Sequence, residues 1–346
     1  MLHVGLDLSR KRLDVCVLSE GGETLCVTTA PPDSDGLRGL SRRLAGFGQP
    51  IRAVIESMNG ARFVHDELEL AGWEVELADA QRVKGMAPLA CKTDRIDAHV
   101  LAELSRRDLV PAIWLPPPGT RAERERSRWR QHLVRHRTSL KNRVHATLIS
   151  FGHPCPTSDL FGGEGRRRLE RMAIPEPWRS DITAAVHLID ELDTEISACD
   201  QALRQLGAAH PYIPLLNTIP GVSWVLAATI ATEIGDISRF PSPKHLVSYT
   251  GLCPRVHQSG LHDKRGALSK SGPKYLRWAL IEASFHAAKH PAYQARFEHT
   301  RRRLGKYRGH NIARVDVARH LAEAIWHMLS KHQPFCPGGS PLALVA

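Results

Sequence analysis

Four acidic residues stand where they could act together. Asp7 closes the apolar run Gly5-Leu6-Asp7, and Glu56 closes Val54-Ile55-Glu56. Asp94 and Asp97 lie three apart in Lys92-Thr93-Asp94-Arg95-Ile96-Asp97-Ala98, and residues at that spacing share one face of a helix. Carboxylates gathered at one point repel unless cations sit among them. Two Mg2+ ions about 3.5–4 Å apart are the usual answer in phosphoryl-transfer sites, one activating the nucleophile and one stabilising the leaving oxygen. Each acid taken alone reads more readily as a solvated turn residue; the set, in this order, carries the metal reading. Asp14 lies nearby, but Lys11-Arg12-Leu13-Asp14 reads as the solvated face of a hairpin. His132 and His136 have i, i+4 spacing without a third ligand or an adjacent Glu, so a surface or stacking role is the better reading. No G-x-x-x-x-G-K-[ST] loop is present, and ATP-driven chemistry has no support.

The elements that would position these acids can be read from the pattern around them. Residues 3–8, 13–18 and 24–29 read as short strands, and 19–23 turn the second into the third. Residues 37–47 read as a helix, 52–55 as a buried strand, 63–70 as a helix ending at Gly72, and 73–77 as a fifth strand. Residues 93–106 are amphipathic, with Ile96, Val100, Leu101 and Leu104 on one side. Three antiparallel strands followed by β-α-β-α is the order of a ribonuclease-H-like sheet. There the first and fourth strands are neighbours, so Asp7 and Glu56 would converge. Pro111 and Pro116 to Pro118 end the unit, giving an α/β domain over 1–118.

Residues 119–208 read as a helical arm. Ile182, Val186, Ile189, Leu192, Ile196, Cys199, Leu203 and Leu206 approach a heptad seam. Trp129, Leu133, Leu140, Val144 and Leu148 form the stripe of an earlier helix. Between them Gly152 to Pro156 and Gly162 to Gly165 read as breakers. The expectation is an antiparallel hairpin or coiled-coil arm serving self-association, or an ordinary two-helix packing. Residues 209–332 read as a mainly helical domain, irregular over 251–273, and 333–346 as a poorly ordered tail.

Charge points to a polyanionic partner. The chain of 346 residues carries a net +11, unevenly spread. Residues 1–118 hold 14 Lys or Arg against 17 Asp or Glu, while the rest hold 33 against 19. Residues 121–143 hold nine Lys or Arg against two Glu, more than i, i+4 pairing could neutralise. Arg124, Arg126, Arg128 and Arg130 are therefore expected to grip phosphate, and the basic run at 301–308 adds to the footprint. Ile219-Pro220-Gly221-Val222 reads either as a plain helix-entry turn or as a Pro-Gly turn at a helix N-terminus whose free N–H groups, near Gly221, take a phosphate. Seven scattered cysteines, never as C-x-x-C, argue against a disulfide framework or zinc knuckle and for a reducing cytoplasm. No apolar run approaches the ~18 residues of a membrane span, and Asp7 inside the first apolar stretch argues against a signal peptide.

The three acidic blocks resemble those of the DEDD transposases of bacterial insertion sequences, the bridge-RNA-guided recombinases with a RuvC-like N-terminal domain. The C-terminal blocks are similar to that family's second domain: Ile219-Pro220-Gly221-Val222, Ile234-Gly235-Asp236-Ile237, Tyr249 to Arg255, Gln258-Ser259-Gly260 and Ser269-Lys270-Ser271-Gly272. Ser57-Met58-Asn59-Gly60 departs from the shorter small-residue turn expected after Glu56. The resemblance implies a RuvC-like fold, catalytic and metal-holding roles for Asp7, Glu56, Asp94 and Asp97, two Mg2+ ions, an element-encoded guide RNA, and DNA partners at element ends and target. It implies a dimer or tetramer in which Ser259 joins the carboxylates of a partner subunit and forms a covalent phosphoserine–DNA intermediate. A Ser hydroxyl needs a base, a metal or positive surroundings; Arg255, His257, Lys264, Arg265, Lys270 and Lys274 supply cations, and Gly260 would let backbone approach a phosphate. Composition alone would make Ser259 a turn cap, and Ser269 and Ser271 are rival serines. The competing functions are a junction-resolving endonuclease that uses water and a nucleic-acid-binding protein without chemistry.

Overall fold

A computed structural model describes residues 1–86, 93–154, 157–259 and 262–337. Lys92, Cys155, Pro156, Gly260, the tail beyond Pro337 and the side chain of His257 fall outside the described residues. The chain forms two compact units, Met1–Leu115 and Pro116 onward. The arm and the C-terminal helices therefore share one unit.

The first unit runs β1 (Leu2–Leu8), β2 (Leu13–Leu18), β3 (Thr24–Ala30), α1 (Ser34–Ala45), β4 (Ile51–Glu56), α2 (Ala61–Leu70), β5 (Glu74–Ala78), α3 (Ala80–Met86) and α4 (Asp94–Arg106). Its sheet has the order β3-β2-β1-β4-β5. β1 and β2 are antiparallel, as are β2 and β3, whereas β4 lies parallel to both β1 and β5. This mixed sheet is compatible with a ribonuclease-H-like domain. Successive side chains of a strand point to opposite faces, and that alternation sorts the unit. Leu2, Val4, Leu6 and Leu8 pack with Leu37, Leu40 and Val64 of α1 and α2. His3, Gly5 and Asp7 point the other way, toward α4. Gly5 lets that helix come close: a Cβ there would lie 1.8 Å from the Ala98 carbonyl oxygen and 2.5 Å from the Ala102 nitrogen. Ala98 and Ala102, both buried, complete the contact with Cys16 and Leu18 of β2. His3 Nδ1 lies 3.0 Å from the Ser105 hydroxyl and fixes the far end of α4.

The second unit runs α5 (Pro118–Ser150), α6 (Gly163–Arg171), α7 (Trp178–Ala209), α8 (Ile213–Leu216), α9 (Trp224–Ile234), a 3-10 turn (Ile237–Arg239), α10 (Pro243–Thr250), β6 (Pro254–Ser259), β7 (His262–Leu268), α11 (Lys274–Ala287), α12 (Pro291–Leu304) and α13 (Lys306–Lys331). Its core surrounds α9, which is buried over every residue from Leu226 to Ile234. α5 and α7 run antiparallel, with Arg130 paired to Asp200 and Arg137 to Asp193. The predicted seam of α7 is inside at Ile182, Ile189, Ile196 and Leu203. Trp129 is the exception in the stripe of α5, since it is 49% exposed and stacks on His132. The breaker expected at Gly162 to Gly165 is instead the entry to α6. Part of the tail is also tied down: the Phe335 N–H donates to the Thr218 hydroxyl at 2.8 Å, and its ring meets Tyr293.

The stretch expected to be irregular over 251–273 contains a two-stranded antiparallel ribbon, β6 with β7. Its two feet are pressed together. A Cβ on Gly251 would meet the Ser271 carbonyl oxygen at 2.2 Å, and one on Gly272 the Tyr249 carbonyl oxygen at 2.0 Å. Both glycines also have positive φ, a conformation other residues adopt at a cost. The Ser269 and Lys270 N–H groups donate to the Cys253 and Gly251 carbonyls across the same neck.

Candidate active site and nucleic-acid interface

The acids arrive at one end of one sheet face. The β1–β4 register pairs Leu6 with Ile55, so Asp7 and Glu56 follow as neighbours at adjacent strand ends. The β1–β2 register pairs Asp7 with Asp14. α4, seated on Gly5, brings Asp94 and Asp97 in its first turn. The Thr93 hydroxyl accepts from the Ile96 N–H there, and a helix N-terminus favours nearby negative charge. The Asp7 carboxyl is pushed up to about 6, first by burial and then by the charges of Asp97, Asp94, Glu56 and Asp14. Asp7 therefore feels the other three predicted acids through space.

Asp14 corrects the reading of a solvated hairpin face: it is 3% exposed, and its carboxylate accepts from Arg12 Nε at 2.7 Å. The same guanidinium donates to Asp94 at 2.7 Å, so Arg12 is the cation now lying between two acids of the cluster. The four-residue loop from Ser9 to Arg12 fixes this register, which makes Asp14 a site residue the sequence could have revealed. All donors are carboxylate oxygens, the set that suits Mg2+, and the repulsion raising Asp7 is the kind a divalent ion would relieve. The fit is one of donor type and charge. Among the described residues no three acids, histidines or cysteines stand close enough together to share an ion.

Ser259 is the last residue of β6, not part of a loop, and pairs with His262 across the ribbon. Lys264, two residues along β7, lies on the same face. Arg255, Ser259, Lys264 and Arg265 are all exposed. Lys270, with φ 53°, sits at the ribbon's foot. There the Ser271 hydroxyl donates to that of Ser269 at 3.1 Å, so the rival serines belong to the neck. Lys274 opens α11 with its Nζ 5.1 Å from the Tyr275 ring centre. Arg128 and Arg135 approach the same ring at 5.2 and 5.3 Å, a cation-lined aromatic that the sequence reading missed.

The expected phosphate grip on α5 is largely an internal joint. Arg124 is 8% exposed and donates to the Thr232 and Glu233 carbonyls at 2.6 Å, filling acceptors that the end of α9 would leave orphaned. Arg128 makes a two-pronged pair with Glu233 at 2.7 and 2.9 Å, and Arg130 is held by Asp200. Ser127 and Gln131 bond Thr229 between them. Positions 124, 127, 128 and 131 share a helix face, so this is a polar buried stripe. Arg126 alone of the four predicted arginines is exposed. Gly221, with φ 85°, lies against α11: its Cβ would meet His286 Cβ at 2.6 Å and the Ala283 carbonyl at 2.9 Å. Its conformation thus serves the entry to α9 and close helix packing.

A mixed sheet that concentrates carboxylates at one end of one face, joined to a strongly basic helical unit, has the make-up of an enzyme that works on nucleic acid. Residues 4–152 match the transposase family model named for the DEDD transposases of IS110, and residues 213–299 match the transposase IS116/IS110/IS902 family. The chain is 28% identical over 294 residues to the transposase for insertion sequence element IS1328 of Yersinia enterocolitica, covering 80% of this chain and 83% of that protein. It is 22% identical to the transposase for insertion sequence element IS1111A of Coxiella burnetii, over 96% of this chain and 90% of that one. It is 28% identical to the pilin gene-inverting protein of Moraxella bovis, over 96% and 97%. The chain belongs to the DEDD transposase family of insertion sequences, and is an enzyme acting on DNA. Among the described residues no helix is long and apolar enough to cross a membrane.

Proposed function

We propose that this transposase cleaves and exchanges DNA strands through a covalent phosphoserine at Ser259, with Mg2+ held by Asp7, Glu56, Asp94 and Asp97. The observation that carries the metal half is the set of acids whose charges raise Asp7. Bound there, Mg2+ would supply Lewis-acid stabilisation of charge on the transferring phosphoryl group. Asp94 would exchange its bond to Arg12 for that role. The remaining work falls to the chain itself. The ribbon carries the Ser259 hydroxyl outward on a clamped base, and Lys264 lies on its face to meet developing negative charge. In the step proposed, the serine oxygen bonds to phosphorus and loses its proton while one phosphorus–oxygen bond to deoxyribose breaks. That departing oxygen takes up a proton, and reversal onto a second strand restores the serine. An element-encoded RNA guide, assembly as a dimer or tetramer, a RuvC-like identity for the first unit and DNA contacts by Arg126, Arg255, Lys264, Arg265, Lys270 and Lys274 belong to the same proposal and rest on the resemblance and on charge.

The test is to incubate purified protein, its co-purified RNA, Mg2+ and matching DNA, and to separate protein–DNA adducts on a denaturing gel. Ser271→Ala should keep the adduct and Ser259→Ala should lose it. An adduct retained by Ser259→Ala removes the assignment. Cleavage without any adduct would favour water as nucleophile and the junction-resolving reading.

A further inference from the structure

A second basic feature of the helical unit lies at the ribbon's base, apart from its tip. A cleft of about 1110 Å3 opens between the base of the ribbon and helices α12 and α13. Five arginines line it against a single aspartate, Asp316. Arg296 already answers that aspartate at 2.7 Å. Arg303 and Arg308 are exposed and make no ion pair among the described residues. The Nε of Arg319 is buried without a hydrogen-bond partner. A donor of that kind is costly to leave unmade, and like charges collected in a concave site raise the local concentration of anions. The cleft exceeds the ~300–1,000 Å3 usual for small-molecule sites. Leu252, Ile312 and Val315 give its lining an apolar floor between the arginines, beside the polar Thr300 and Asn311. Guanidinium groups above an apolar floor suit a strand whose phosphates are bound while its bases lie flat; a duplex offers its bases only in grooves.

We infer that this cleft binds a single-stranded segment of nucleic acid, its phosphates on Arg303, Arg308 and Arg319. The inference deepens the proposed function without depending on its chemistry. Binding is therefore read in chelator, on the full chain carrying Asp7→Asn, so that failure of the serine or metal assignments leaves the result unaffected. The probes are fluorescent octamers of thymidylate and of uridylate, with an unlabelled DNA duplex of equal length as competitor. Arg303→Gln/Arg308→Gln should weaken octamer binding about tenfold and flatten the log–log salt dependence by about 1.4, since each phosphate contact on a single strand contributes about 0.7. Arg168→Gln/Arg171→Gln removes the same charge from exposed positions on α6 and should change the slope far less. A preference for either octamer fixes whether the strand is DNA or RNA and supports the site. Equal losses from the two double variants, an unchanged slope, or competition by the duplex as strong as by the octamers would overturn it. Thermal melting of each variant shows whether the fold is intact; if Arg303→Gln/Arg308→Gln melts early, Ile312→Glu, which sets a carboxylate on the exposed rim and repels phosphate, should weaken octamer binding in its place, and unchanged binding by that variant would overturn the site.

Discussion

Asp7 is charged against its surroundings, and that has a measurable sign. Its carboxyl sits at about 6, raised by burial and by four neighbouring acids, above the ordinary Asp range near 3.9. The folded protein therefore binds a proton that the unfolded chain has released between roughly pH 4 and 6. In chelator, the stability associated with Asp7 is fully present below pH 4 and is lost as pH rises through 6. Asp7→Asn should raise the melting temperature at pH 7.5 by about 4 °C, the response to ~1 kcal/mol in a unit of this size, with the difference vanishing near pH 4. The same variant should abolish strand cleavage and leave nucleic-acid affinity nearly intact; full turnover in Mg2+ would take Asp7 out of the site. Arg124 gives the opposite kind of forecast. Because its guanidinium fills the carbonyl end of α9, Arg124→Ala should cost about 2–4 kcal/mol in denaturant unfolding and leave the salt slope of DNA binding unchanged. Asp7 and Glu56 could be picked out because each closes an apolar run, and Asp94 and Asp97 because residues three apart share a helix face. Arg124 was misread because a polar stripe buried against another polar stripe has no hydrophobic period to betray it.

Among the elements, α4 depends on a missing side chain. Gly5→Val would drive a branched Cβ into the Ala98 and Ala102 backbone, so overpacking should cost about 1–3 kcal/mol and move Asp94 and Asp97 off Asp7. Cleavage should fall further than stability, which a denaturation curve beside a cleavage assay would show; parallel losses would mean the helix simply frays. The five strands of the first unit were readable from alternation and turn residues, with ends matching to within a residue or two. α3 was not, since only Val83 of its seven residues is buried. The ribbon escaped for a related reason: both of its faces meet solvent, so Pro-Arg-Val-His-Gln-Ser carries no alternation of apolar and polar side chains. Its order comes from the neck, where Gly251 and Gly272 let two backbone segments touch. Gly272→Val should release that neck and depress adduct formation while Ser259 itself is untouched.

At the scale of the molecule, charge and acid chemistry are divided along the chain, with 33 basic against 19 acidic residues after residue 118. Affinity for nucleic acid should accordingly fall steeply with salt, by about a thousandfold between 50 and 200 mM if six phosphates are neutralised, and should be indifferent to chelator. A shallow dependence in an anisotropy titration would leave the basic surface without a partner. One helix in that half also has mechanical meaning. α5 is 33 residues long, and its first part, through Gln131, is pinned to α9 by Arg124, Ser127 and Arg128. The rest extends about 30 Å further at 1.5 Å per residue, with α7 alongside as a brace. A stiff rod fixed at one end is a lever: each degree of tilt at the pinned end displaces the far end by about 0.5 Å over that length. Whatever pulls on the tip of this arm is therefore geared down to small, firm movements at α9, in the middle of the core that also supports the serine ribbon.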